Sequence, residues 1–190
     1  KGNGSDNLYL NDEVIIYGTD VYFSSTVDAI SDAHYLPFKE NFFDGVWIQA
    51  VLEHVVEPKV VVDEIERILK DDGIVYAETP FMQQVHEGAY DFNRFTLLGH
   101  RYLFKSFEAI EIGKTKGAGE SLAWSIRYFF LALFRSKKIA TVLTLPFLII
   151  LNFLENFLDK RSDFDSSSGV FFLGKKNNFK LTHKDIIKLY

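Results

Sequence analysis

The stretch from Asp32 to Pro80 narrows the possible folds more than any other part of the chain, because it orders a strand, a helix and a second strand. Phe43-Asp44-Gly45-Val46-Trp47-Ile48-Gln49 is a short apolar run entered through an aspartate. Pro58 suits the first turn of a helix, where its missing N–H costs nothing. From there Val61, Ile65, Ile68 and Leu69 recur at helical spacing, and Lys59, Asp63, Glu64, Glu66, Arg67 and Lys70 take the opposite face. Asp71-Asp72-Gly73 stops the helix, with Gly73 expected to supply positive φ. Ile74-Val75-Tyr76-Ala77 is continuously apolar, as in a parallel strand covered on both faces. This order is a βαβ unit with a right-handed crossover, and it points to an α/β fold.

The same residues carry a resemblance. Asp32-Ala33 before Leu36-Pro37-Phe38, then Phe43-Asp44, then Glu53-His54, then Leu69-Lys70 ahead of Gly73 stand in order. This set resembles the type 11 family of class I S-adenosylmethionine-dependent methyltransferases, clearly over residues 2–79 and more faintly through Thr96. The resemblance implies a Rossmann-like three-layer α/β sandwich, with S-adenosylmethionine as cofactor. It also implies a first strand upstream of Gly2, which the sequence from Lys1 onward does not contain.

Length and composition agree with a single domain over residues 1–190. Hydrophobic residues make up 47% and charged residues 25%, which excludes a disordered chain. A net charge of −5 without a basic stripe along the core argues against a nucleic-acid partner. The chain has no cysteine, which excludes disulfides and thiol catalysis and fits a reducing, cytoplasmic setting. No metal is expected.

Gly2 and Gly4 form a Gly-X-Gly through which the backbone can approach a ligand. They read either as the end of the family's glycine-rich loop or as a plain terminus. Val14 to Gly18 reads as a buried strand ending at Asp20, with Val21 beside it. A carboxylate at that strand end is where Rossmann-like folds hold ribose hydroxyls, in nicotinamide enzymes as well as in methyltransferases. The alternative is a turn aspartate. Val27 to Ile30 makes a short further strand. By resemblance, Asp32 accepts a hydrogen bond from the adenine amino group, Ala33 donates its N–H to the ring, and Leu36-Pro37-Phe38 walls the pocket. Gln49 and Ala50 then flank the methionyl part at the crevice.

Glu53 and His54 are either acid–base groups or the start of the helix. The segment from Phe81 to Thr96 concentrates His86, Glu87, Tyr90, Asp91, Asn93 and Arg94. It is similar to a loop of methyltransferases associated with cell-surface polysaccharide synthesis, with Ala89 where a proline is usual. That similarity makes a saccharide or other small hydroxyl the expected acceptor, with His86 or His54 as its base. Structural readings of the same loop are an Asp91–Arg94 ion pair and a cap at Asn93 or Thr96. Leu97 to Phe104 reads as a helix and Phe107 to Ile112 as a half-buried strand.

From Gly117 the composition changes, so residues 117–168 are read as an inserted apolar helical pair. Gly117-Ala118-Gly119 is a hinge, and Ser121 to Phe134 is apolar apart from Arg127. Arg135, Lys137 and Lys138 interrupt, and Ile139 to Leu154 then runs for 16 residues without a charge. As a helix that run spans roughly 24 Å, short of a ~30 Å hydrocarbon core, and Pro146 should kink or break it. The pair lies on a membrane surface at its inner face, or it packs on its own sheet or a second copy. Val170 to Gly174 should be the last strand. Two other functions fit part of the pattern. A nicotinamide-dependent oxidoreductase explains Asp20 and the glycines, and a relative without cofactor could act as a membrane or partner-binding module.

Overall fold

The computed structural model describes residues 13–24, 27–178 and 180–190. Gly2 and Gly4 lie outside the described residues. The strands are β1 (Thr19–Asp20), β2 (Ala29–Ile30), β3 (Phe43–Gln49), β4 (Leu69–Pro80), β5 (Phe107–Lys116) and β6 (Gly169–Lys176). The helices are α1 (Pro58–Ile68), α2 (Leu97–Leu103), α3 (Ala118–Phe134), α4 (Lys137–Leu154), α5 (Lys160–Asp165) and α6 (His183–Ile187). One sheet has the order β3-β4-β6-β5, and β1 pairs with β2 in a separate parallel ladder. β3 and β4 are parallel, while β6 runs antiparallel to both β4 and β5. The fold is the Rossmann-like α/β class expected from the βαβ unit.

The core lies on one face of the sheet. Alternation along β4 sends Val75 and Ala77 inward, where they meet Val61, Val62 and Ile65 of α1 and Phe172 of β6. Phe104, beyond α2, stacks on Phe172 with ring centroids 5.0 Å apart. Arg101 is buried beside them and donates to the carbonyls of Phe104 and Phe107 at 2.6 and 2.8 Å. It thereby ties the C-cap of α2, whose Phe104 carbonyl also accepts from the Phe107 amide, to the start of β5. The other face carries a ladder of Trp47, Tyr76 and Phe171, and Trp47 remains 41% exposed.

Several local expectations need correction. Val14 to Gly18 is not a buried strand: Ile15 is 83% exposed, and only Thr19–Asp20 pair, with Ala29–Ile30. Among the described residues β2 alone pairs with this segment, so nothing buries its other edge. The positive φ after α1 falls on Asp72, at 65°, rather than on Gly73. Gly73 is needed for closeness instead, since a Cβ there would lie 2.8 Å from the Lys70 carbonyl oxygen. Leu69 already belongs to β4, not to the helix. Gly117 and Gly119 are not a hinge, because a Cβ on either would collide with Asp163 or Glu155. α4 continues through Pro146.

His100 is fully buried between Phe95 and Phe104, and neither ring nitrogen has a hydrogen-bond partner among the described residues. Burial pushes its pKa down to about 3. A histidine held neutral in the fold stabilises above its unfolded value near 6.5, and that contribution is lost as pH falls from there towards 3. From pH 7 to 5 this one group should cost about 2 kcal/mol of stability. Urea unfolding of His100→Phe should therefore show a drop over that interval smaller by about that amount. An unchanged drop would mean that His100 is not the titrating group.

Candidate functional site

The parallel register of β3 and β4 pairs Gln49 with Glu78, so both strands end side by side. This is the position where open α/β sheets bind ligands. Ala50 follows with φ 53°, and its N–H donates to the Glu78 carbonyl at 3.0 Å. A left-handed residue with a side chain costs on the order of 1–3 kcal/mol and persists where its surroundings over-determine it. Gln49 donates through Nε2 to Glu78 at 3.1 Å, while its buried Oε1 has no partner among the described residues.

Glu53 and His54 do not start the helix, which begins only at Pro58. Glu53 is fully buried, and neither carboxylate oxygen has a hydrogen-bond partner among the described residues. Burial raises its pKa. Its backbone carbonyl accepts from the amides of Phe92 and Asn93, tying this corner to the loop after β4. His54 Nδ1 sits 2.6 Å from the Tyr90 carbonyl oxygen, which can only accept, so Nδ1 carries the proton. Nε2 is then left with its lone pair, 3.7 Å from Glu53 Oε1.

The loop bearing His86 is held by an ion pair. Arg94 grips Asp91, whose side chain is 1% exposed, and donates to the carbonyls of Gln83, Gln84 and Asn93. The guanidinium holds the Asp91 carboxyl down at about 2. Asp91 in turn accepts from the His86 amide at 2.9 Å, and Thr96 caps α2. The Asp91–Arg94 pair and the Thr96 cap are thus structural, as one reading of the sequence had them. His86 Nδ1 lies 3.3 Å from the Gln84 carbonyl oxygen and 3.5 Å from Asp91. The imidazoles of His54 and His86 meet edge to face at 5.1 Å. Glu53, His54 and His86 offer ligand atoms within 4.8 Å of one another, a set able to hold a divalent cation.

A cavity of about 200 Å³ joins these groups. Its walls include Gln49, Ala50, Glu53, Glu78 and His86. A larger one of about 480 Å³ shares Glu78, Gln83, Thr115 and Ser168 with it and extends to Lys114, Glu120 and Trp124. Glu78, Gln83, Thr115 and Ser168 were not singled out in the sequence. Only the pairing of β4 with β6 and of β6 with β5 brings them together, and no local pattern marks them.

The other expected cofactor residues line neither cavity. Asp20 is exposed, and its carboxylate accepts from the Tyr22 amide at 2.9 Å. Val21 is 56% exposed. Asp32 accepts from the amide and ring of His34 at 2.9 and 2.6 Å, contacts that lower its pKa. Ala33 packs against the core. Leu36 and Phe38 serve mainly as anchors: Glu64 accepts from the Leu36 amide, and Arg67 donates to the carbonyls of Leu36 and Phe38.

Comparison with known proteins bears on this geometry. Residues 11–77 match the model of a type 11 family described as a methyltransferase domain, about a third of the chain. Comparison with curated proteins gives no match. Among solved structures, a S-adenosylmethionine-dependent methyltransferase from Archaeoglobus fulgidus is similar at 13% identity and TM-score 0.58, covering 90% of this chain and 80% of that one. The [4+2]-cyclase SpnF is similar at 18% identity and TM-score 0.42, covering 80% of this chain and 57% of the cyclase. Coclaurine N-methyltransferase, bound to N-methylheliamine and S-adenosylhomocysteine, is similar at 13% identity and TM-score 0.45, covering 78% of this chain. The chain spans less than two thirds of the cyclase and 52% of the coclaurine enzyme. The Archaeoglobus likeness is one of fold: the chain has the fold of the class I methyltransferases.

Proposed function

We propose that the chain is a S-adenosylmethionine-dependent methyltransferase acting on a hydroxyl of a saccharide or another small acceptor. We take residues 1–190 as one domain with residues 117–168 inserted. The observation that carries the reading is the convergence, at the adjoining ends of β3 and β4, of a strained Ala50, the unpartnered Gln49 Oε1 and the buried Glu53. Among the described residues these Gln49 and Glu53 oxygens have no donor, and a ligand bearing an ammonium and a sulfonium fits them. Asp20, Val21, Asp32, Ala33, Gln49 and Ala50 are the described residues that would hold it, with Gly2 and Gly4 as the further candidates. The acidic groups suit its ribose hydroxyls and adenine amino group.

The cofactor supplies an electrophilic methyl group on sulfur. The chain's own task is to orient the acceptor and take its proton. With Nδ1–H directed to a carbonyl, His54 keeps Nε2 as a base, and His86 has the same arrangement when its Nδ1 proton faces Gln84. His86 is the better placed of the two, since it lines the smaller cavity. Proton removal matters because a neutral hydroxyl is a weak nucleophile. The setting is the cytoplasm. The exposed pair α3–α4 requires a cover there, from a bilayer surface or a second copy.

Two variants test this reading. Asp20→Ala removes a charged acceptor and should weaken S-adenosylmethionine by roughly 10- to 100-fold in calorimetry. Unchanged affinity would take Asp20 out of the site. His86→Ala should lower turnover by roughly 10²-fold with cofactor affinity intact, measured as labelled methyl transferred to a panel of saccharides. Equal turnover in the variant would return His86 to a structural role.

A further inference from the structure

α3 and α4 form an antiparallel hairpin that is polar and fixed at its base, apolar along its arms and basic at its tip. At the base Asp163 accepts from Lys114 and from the Ala118 amide, and Glu155 accepts from the Glu120 amide. Beyond it Phe130 and Phe147 pack at 6.1 Å, and Arg135 turns the chain with φ 53°. Fifteen large apolar side chains between residues 122 and 158 are exposed, Val142, Ile149, Phe153 and Phe157 at 64–72%. The stretch Lys137–Phe157 is long and apolar enough to cross a membrane, and only 11% of its most apolar 18-residue window is buried, unlike a core helix. Monomers rarely expose contiguous apolar patches beyond a few hundred Å².

Two features of the hairpin select its cover. Buried Ala140 and Thr144 mark the strip of α4 that faces α3. At 100° per residue the exposed apolar positions, from Leu145 round to Phe147, sweep roughly 200° of the helix. A second copy meets a helix along a narrower stripe, whereas lipid can follow the whole arc. The charges are also one-sided. Between Ser121 and Leu154 the ionisable side chains carrying charge are Arg127, Arg135, Lys137 and Lys138, all basic in a chain of net charge −5. Crossing by the hairpin is disfavoured because α3 carries Arg127 in its middle. Inserting the tip would bury three cations in hydrocarbon, whereas lying flat leaves them at the head groups.

We propose that the α3–α4 hairpin is a docking surface for an anionic bilayer, lying in its interface with Arg135, Lys137 and Lys138 at the head groups. The docking also sets where the crevice opens. Glu120 and Trp124 of α3 line the larger cavity. Ser125 accepts from Gln84 at 3.0 Å, and Tyr128 donates to the Val85 carbonyl at 2.6 Å, so the hairpin holds the loop that carries His86. An acceptor reaching that cavity is therefore taken at the bilayer surface. The docking itself stands on the hairpin alone and is independent of methyl transfer.

Flotation of the full chain with vesicles of phosphatidylcholine containing 30% phosphatidylglycerol, beside phosphatidylcholine alone, tests the proposal. The protein should float with the anionic vesicles at low salt and progressively less as salt is raised. Replacing Arg135, Lys137 and Lys138 with glutamine should weaken that binding roughly 100-fold. Ile149→Asn with Phe153→Asn, at exposed positions that leave the core untouched, should weaken it too. Failure to float with anionic vesicles would overturn the proposal. So would light scattering that shows a lipid-free dimer broken by the asparagine pair, with no flotation.

Discussion

The parallel pairing of β3 with β4 is the constraint on which the rest of the site depends. A parallel pair sends both strands out at the same end of the sheet, so Gln49 and Glu78 stand side by side. The connection between the strands is α1, whose Val61, Val62 and Ile65 close one face of the sheet. On the other side of the strand ends, the chain must leave β3 in one residue. Ala50 does so in a left-handed conformation, held by its hydrogen bond to Glu78. The polar groups of the crevice are therefore set by backbone geometry before any ligand is considered.

The second requirement is that the loop after β4 return to this corner. Glu53 accepts from the amides of Phe92 and Asn93, and Arg94 gathers the carbonyls of Gln83, Gln84 and Asn93 around the Asp91 pair. A carboxylate held near pKa 2 stays ionised across the physiological range, so the clamp persists there. The same loop touches the hairpin through Gln84 and Val85. His86 and the apolar hairpin are thus joined by one short segment.

The core of this arrangement was legible in the sequence. The helical spacing of Val61, Ile65 and Ile68, the run Ile74 to Ala77, and Phe43 to Gln49 state their elements locally, because periodicity and burial coincide there. The places of Gln49, Ala50 and His86 on the smaller cavity were legible for a similar reason: they come after those strands in the chain. What was hidden depends on distant pairing. Thr115 and Ser168 reach the cavities only through the β5–β6 and β4–β6 ladders. Glu53 looked like the opening of a helix because its burial comes from the returning loop. Val14 to Gly18 misled because an apolar run reports a capacity for burial, and burial also needs a neighbour.

The central claim is that the ends of β3 and β4 form a binding crevice for S-adenosylmethionine. Amide chemical-shift mapping with S-adenosylhomocysteine, beside NAD, tests it most directly. The account predicts that S-adenosylhomocysteine shifts the amides of Gln49 and Ala50 together with those of Asp20 and Asp32, while NAD leaves them in place. Shifts confined to other regions, or the same shifts with NAD instead, would contradict it.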